Sequence, residues 1–130
     1  MSGINRNWFQ FFEFVKSKGF KPKSLVDVGV ATDTQDLYYH FQQGTRYLFV
    51  EPLTEFEPNL QHWCRVFPGS NYILGCAGAE NGEITINVPP DLGGTSFYDT
   101  EEWNSNEVDC RQRTVQMFKL DDIWETLGYE

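Results

Sequence analysis

The sequence predicts an α/β fold: an incomplete three-layer α/β/α sandwich of parallel strands, with an antiparallel hairpin inserted late in the chain. Three observations predict it. Short continuous apolar runs recur at Ser24–Gly29, Tyr47–Val50 and Tyr72–Leu74, the pattern of strands buried on both faces of a parallel sheet. Stretches of helical periodicity separate them, as parallel connections require. Past Asn81-Gly82, a strong turn signal, the period becomes two: Glu83 to Val88 alternates polar and apolar residues, like a half-exposed antiparallel strand.

Each element follows from its residues. From Asn7 to Val15, Trp8, Phe9, Phe11, Phe12 and Val15 make a helical stripe that ends at Ser17, Lys18 and Gly19, with Pro22 just beyond. After the first strand, Thr34 to Phe41 reads as a helix with Leu37, Tyr38 and Phe41 inward. Pro52 breaks the second strand, and Thr54 to Val66 forms another helix bearing Phe56, Leu60, Trp63 and Cys64. Pro89 to Asp109 reads as a loop. Arg113 to Phe118 is a last strand, followed by a short closing helix for which Asp121 is a candidate cap.

With 130 residues, 40% hydrophobic, and with 11 Phe, 6 Tyr and 4 Trp, the chain is composed to fold around one core. Its formal charge of −9 speaks against nucleic acid and anionic membrane surfaces as partners. The lysines at 16, 18, 21 and 23 read as a solvated helix end. Cys64, Cys76 and Cys110 form no CxxC pair and no metal-ligand spacing with His, so the expectation is a reduced, cytoplasmic protein with no metal. The first fifteen residues make a poor signal peptide, and no run approaches the length of a membrane span.

Open α/β folds build nucleotide sites at the carboxyl ends of their strands. Here Asp27-Val28-Gly29 closes the first strand, where Gly29 lets a ligand approach the backbone. Glu51 closes the second, where a carboxylate can accept both hydroxyls of a ribose. The same residues have plainer readings: Asp27 as the cap of the following turn, and Glu51 as a solvated strand end.

Read in order, these segments resemble the FkbM family of S-adenosylmethionine-dependent methyltransferases. Leu25-Val26-Asp27-Val28-Gly29-Val30-Ala31 is similar to its first motif, and Leu48-Phe49-Val50-Glu51-Pro52-Leu53 to its Phe-Glu-Pro strand end. Cys76-Ala77-Gly78-Ala79-Glu80-Asn81-Gly82-Glu83 resembles its Ala-Leu-Gly-Asp turn. Gly93-Gly94-Thr95-Ser96 and Val115 to Asp122 resemble its Gly-x-Ser loop and Leu-Asp-Asp segment.

The resemblance implies a Rossmann-like methyltransferase fold that binds S-adenosylmethionine. Asp27, Gly29 and Ala31 would lie at the methionine end, Glu51 on the ribose, and Ala77 and Gly78 near the adenine. Three positions depart from the family pattern: Asp33 stands where glycine is usual, Ala31 where asparagine is, and Ala79 where aspartate is. Asp33 is then either a helix cap or an obstruction.

The resemblance also implies that residues 1–130 are a single partial domain: an N-terminal helix within 1–22, a β-α-β-α-β cofactor-binding core over 23–80, and a hairpin, loop and final strand and helix over 81–130. In the family a fourth parallel strand follows the Leu-Asp-Asp segment and lies beside the first strand. Without it the first strand is an exposed edge, open to self-association or a partner.

The expected activity is O-methyl transfer to a small molecule or sugar. No catalytic residue stands out, because His40 and His62 read as ordinary core or surface histidines, and Tyr38 and Phe49 as core. The alternative is a non-catalytic module that binds a partner protein or an adenosine-containing ligand. An NAD-dependent enzyme fits less well, since the GxGxxG turn is missing.

Overall fold

The structure, a computed structural model, describes residues 7–92 and 111–129, and the chain divides into two units, 1–74 with 128–130, and 75–127. The first unit begins with α1 (Trp8–Ser17), capped where Asn7 Oδ1 accepts the Gln10 N–H at 2.9 Å. The helix ends in a Schellman turn: Gly19 at φ +89° lets Phe20 N–H reach the Val15 carbonyl at 3.1 Å. Then come β1 (Ser24–Val28), α2 (Gln35–His40), β2 (Arg46–Glu51), a 3-10 turn (Thr54–Phe56), α3 (Glu57–Val66) and β3 (Asn71–Leu74).

The three strands are parallel in the order β1-β2-β3, with Val26 opposite Leu48 and Val50 opposite Ile73. Both connections step the same way along the sheet, and right-handed crossovers then put α2 and α3 on one face. The contacts agree, since Tyr38 of α2 meets Trp63 of α3 at 4.8 Å between ring centroids. Beneath them Tyr47, Phe49, Leu60 and Phe67 make the core. β2 has a strand on each side and is buried from Tyr47 through Glu51. Among the described residues β1 pairs only with β2, and Val28 is left 53% exposed at that edge. Tyr129 closes the unit: its hydroxyl donates to the Tyr47 carbonyl at 3.0 Å, and the Arg46 guanidinium lies 4.3 Å over its ring.

The second unit holds β4 (Cys76–Ala77), β5 (Gly82–Val88), β6 (Arg111–Phe118) and α4 (Leu120–Leu127). The sheet order is β4-β6-β5, with β5 antiparallel and β4 parallel to β6. The alternation read over Glu83–Val88 is real, because Ile86 and Val88 are buried while Glu83 and Thr85 are exposed.

Some local expectations are corrected. Thr34, not Asp33, occupies the N-cap position of α2, and it makes no side-chain cap bond. The helix expected over Thr54–Val66 starts as a 3-10 turn before α3. Asp121 does not cap the last helix: α4 begins at Leu120, so Asp121 and Asp122 lie inside its first turn, where acids favour the helix dipole. Asn81 serves that end instead, accepting the Lys119 N–H at 2.9 Å and donating to Asp122 at 3.0 Å. Most of the loop expected over Pro89–Asp109, including Gly93-Gly94-Thr95-Ser96, lies outside the described residues. No helix among those described is long and apolar enough to cross a membrane.

Candidate functional site: the strand-end turn

β1 and β2 run in register, so Gly29 and Glu51 leave the sheet side by side, and Gly29 N–H donates to the Val50 carbonyl at 2.8 Å. The backbone then turns through two left-handed residues, Gly29 at φ +80° and Ala31 at φ +51°. A Cβ on Gly29 would meet nothing within 4 Å, so conformation rather than crowding calls for glycine there. For Ala31 the same region costs about 1–2 kcal/mol. Its N–H is held by Glu51 Oε1 at 2.8 Å.

The other carboxylate oxygen, Oε2, accepts the Leu53 N–H at 2.9 Å. Glu51 is thus no solvated strand end: it is 4% exposed and bridges the turn after β1 to the turn after β2. Each of its oxygens keeps a further acceptor position. Asp27 is buried too, and it accepts the Tyr38 hydroxyl at 2.6 Å. Burial, and then this bond to Asp27, push the Tyr38 pKa far above that of a free phenol, so the hydroxyl remains a donor. Burial and the Asp27 charge push Tyr47 the same way.

Trp63 Nε1 donates to the Thr32 carbonyl at 2.9 Å. Tyr38 on α2 and Trp63 on α3 therefore hold the end of β1 at Asp27 and the following loop at Thr32. Neither polar role was anticipated, although a signal existed: a Tyr or Trp on a buried face needs a partner for its O–H or N–H.

The structure brings together four of the six expected ligand residues: Asp27, Gly29, Ala31 and Glu51. Ala77 and Gly78 belong to the second unit, on β4 and just after it. Gly78 has a packing reason of its own, since a Cβ there would overlap the Met117 side chain.

The two histidines are elsewhere. His40 is buried with Nδ1 2.9 Å from the Asp36 carbonyl oxygen, and His62 is exposed on α3 beside Trp63. Burial raises the Cys64 thiol pKa, which disfavours the thiolate. No cluster of three His, Cys, Asp or Glu suited to a metal occurs among the described residues.

No family model, no curated protein and no solved structure matches this chain.

Proposed function

We propose that this chain is the nucleoside-holding part of a Rossmann-like, S-adenosylmethionine-dependent methyltransferase of the FkbM type, passing a methyl group to an oxygen of a small molecule or sugar. One observation carries the reading. A buried carboxylate, Glu51, stands at the carboxyl end of the middle parallel strand, against a left-handed turn at the end of its neighbour. That is where open α/β sheets take their ligands.

The residues fit the group in two respects. Glu51 retains an acceptor position on each oxygen for a pair of ribose hydroxyls, and the space around Gly29 is open. When bound, the cofactor supplies a methyl group on a cationic sulfur. Asp27, held by Tyr38, adds negative charge beside the turn. The assignment of Ala77 and Gly78 to the adenine rests on the sequence resemblance alone.

The test is calorimetric titration of the whole chain with S-adenosylmethionine and S-adenosylhomocysteine, beside Glu51→Gln with its fold checked by circular dichroism. Saturable binding, weakened about ten- to hundredfold by the substitution, is expected. No heat from a folded chain at about 1 mM ligand, a weak-binding limit, would sink the proposal.

That result would favour the second reading, a non-catalytic module. It draws on one fact: both Glu51 oxygens already accept backbone N–H groups and the side chain is almost fully covered. In that reading Glu51 is a structural staple.

A further inference from the structure

Neither the sheet nor the strand-end turn accounts for the surface of α1. The helix turns Phe9 and Phe12 toward α2, where Phe9 meets His40 at 4.4 Å and Phe12 meets Phe41 at 5.7 Å between ring centroids. Trp8, Phe11 and Phe14 recur every third residue along a second strip that remains exposed, with Trp8 at 68%. Phe20 and Tyr39 are exposed as well. The Trp8 and Phe11 rings touch edge to face at 6.0 Å, so these are not isolated surface apolar residues.

Charge indicates what covers them. Residues 7–23 hold four lysines against one acid, Glu13, in a chain whose formal charge is −9. Lys18 Nζ lies 5.5 Å over the Phe14 ring. Lys16 and Lys21, with Phe20, Tyr39, Gln42 and Gln43, line a cleft of about 650 Å³. Ammonium and amide donors around a cleft suit a phosphate headgroup. Trp and Phe beside them suit the boundary between headgroups and acyl chains.

We propose that α1 and the segment through Lys23 are a docking face for an anionic lipid surface. Trp8, Phe11, Phe14 and Phe20 seat at the boundary, and the lysines meet the phosphates. The overall acidity of the chain does not prevent this, because charges beyond a screening length of about 10 Å count little. Asp33 and Asp36 border Trp8 at the N-terminal end of the helix, so the lysine-bearing end lies nearer the headgroups. A second copy seated α1 on α1 in parallel would bring like-charged lysines together, which is costly.

Sedimentation of the full chain with vesicles tests the face, using phosphatidylcholine alone and a mixture of two parts phosphatidylcholine to one part phosphatidylserine. The chain partitions onto the mixed vesicles only, and added salt releases it. Substituting Lys16→Gln, Lys18→Gln and Lys21→Gln weakens partitioning about fivefold for each charge removed. Trp8→Ser with Phe11→Ser abolishes it while the circular dichroism spectrum is kept. The proposal is overturned by absence from the anionic vesicles or by indifference to the lysine substitutions. It is equally overturned by a concentration-dependent oligomer that Phe11→Ser dissolves, which assigns the face to a second copy.

Discussion

β2 and β6 are each the middle strand of a three-stranded sheet, yet β2 is buried along Tyr47–Glu51 while every residue of β6 is exposed or half-buried. The difference extends to polar groups. The four buried polar or charged residues among those described, Asp27, His40, Thr45 and Glu51, all belong to the first unit. Parallel strands joined by helical crossovers lie under their helices, so polar groups buried beside them must find partners inside the protein. A hairpin sheet with one wet face leaves its polar side chains to water. The first unit therefore stores stability in specific buried bonds, and the described residues of the second include no buried polar side chain.

The largest effect that tests this contrast comes from the core. Phe49 is fully buried against Tyr47, Tyr38 and Phe67. Phe49→Ala is expected to cost about 3–5 kcal/mol in urea unfolding followed by circular dichroism. Val115→Ala, at the matching place on half-buried β6, is expected to cost about 1 kcal/mol. Equal costs for the two would erase the distinction between the sheets.

Next in size is the staple at the strand ends. Glu51→Ala strands two backbone N–H groups, those of Ala31 and Leu53, and is expected to cost about 2–4 kcal/mol in the same assay. Gln116→Ala on β6 removes only an exposed bond of 3.4 Å to Glu83 and should stay within about 0.5 kcal/mol. A Glu51→Ala chain as stable as the parent would mean that the bridge is idle. The carboxylate would then be left with ligand binding alone.

How legible each part was depends on range. The continuous apolar run Tyr47-Leu48-Phe49-Val50 announces burial on both faces and alternation at Glu83–Val88 announces one wet face, whereas the runs of β1 and β3, at the edges among the described strands, are mostly only half-buried. Asp27, Gly29 and Glu51 were legible as a group because strand ends and left-handed turns leave marks in sequence. The partners of the two carboxylates were not: Tyr38 is eleven residues from Asp27, and the amide facing Glu51 Oε1 is twenty residues upstream. Asn81 reads as a turn residue, and its service to α4 depends on a chain segment 38 residues away. β4 has two residues, too few for any period to register.

The subtlest consequence of polar burial in the first unit is a dependence on pH. His40 is 5% exposed, with its ring against Phe9 and Phe12. If Nδ1 donates to the Asp36 carbonyl, the unprotonated nitrogen is Nε2, which has no hydrogen-bond partner. Burial, with help from the Lys16 charge, lowers the pKa of His40, and Glu13 and Asp36 oppose the shift only in part. The unfolded chain therefore takes up this proton at a higher pH than the folded one. The stabilisation from keeping the ring neutral is complete above the unfolded value of about 6.5. It is lost as the pH falls from there through the lower, folded value. Unfolding midpoints should thus drop between about pH 7.5 and 5.5, a range spanning the free histidine value, and drop less steeply in His40→Leu. Because Phe9 and Phe12 rest on this ring, the loosening should begin at α1, and amide exchange along Trp8–Ser17 would rise first. Identical slopes for the two chains would show that the uncompensated ring nitrogen has no hold on the fold.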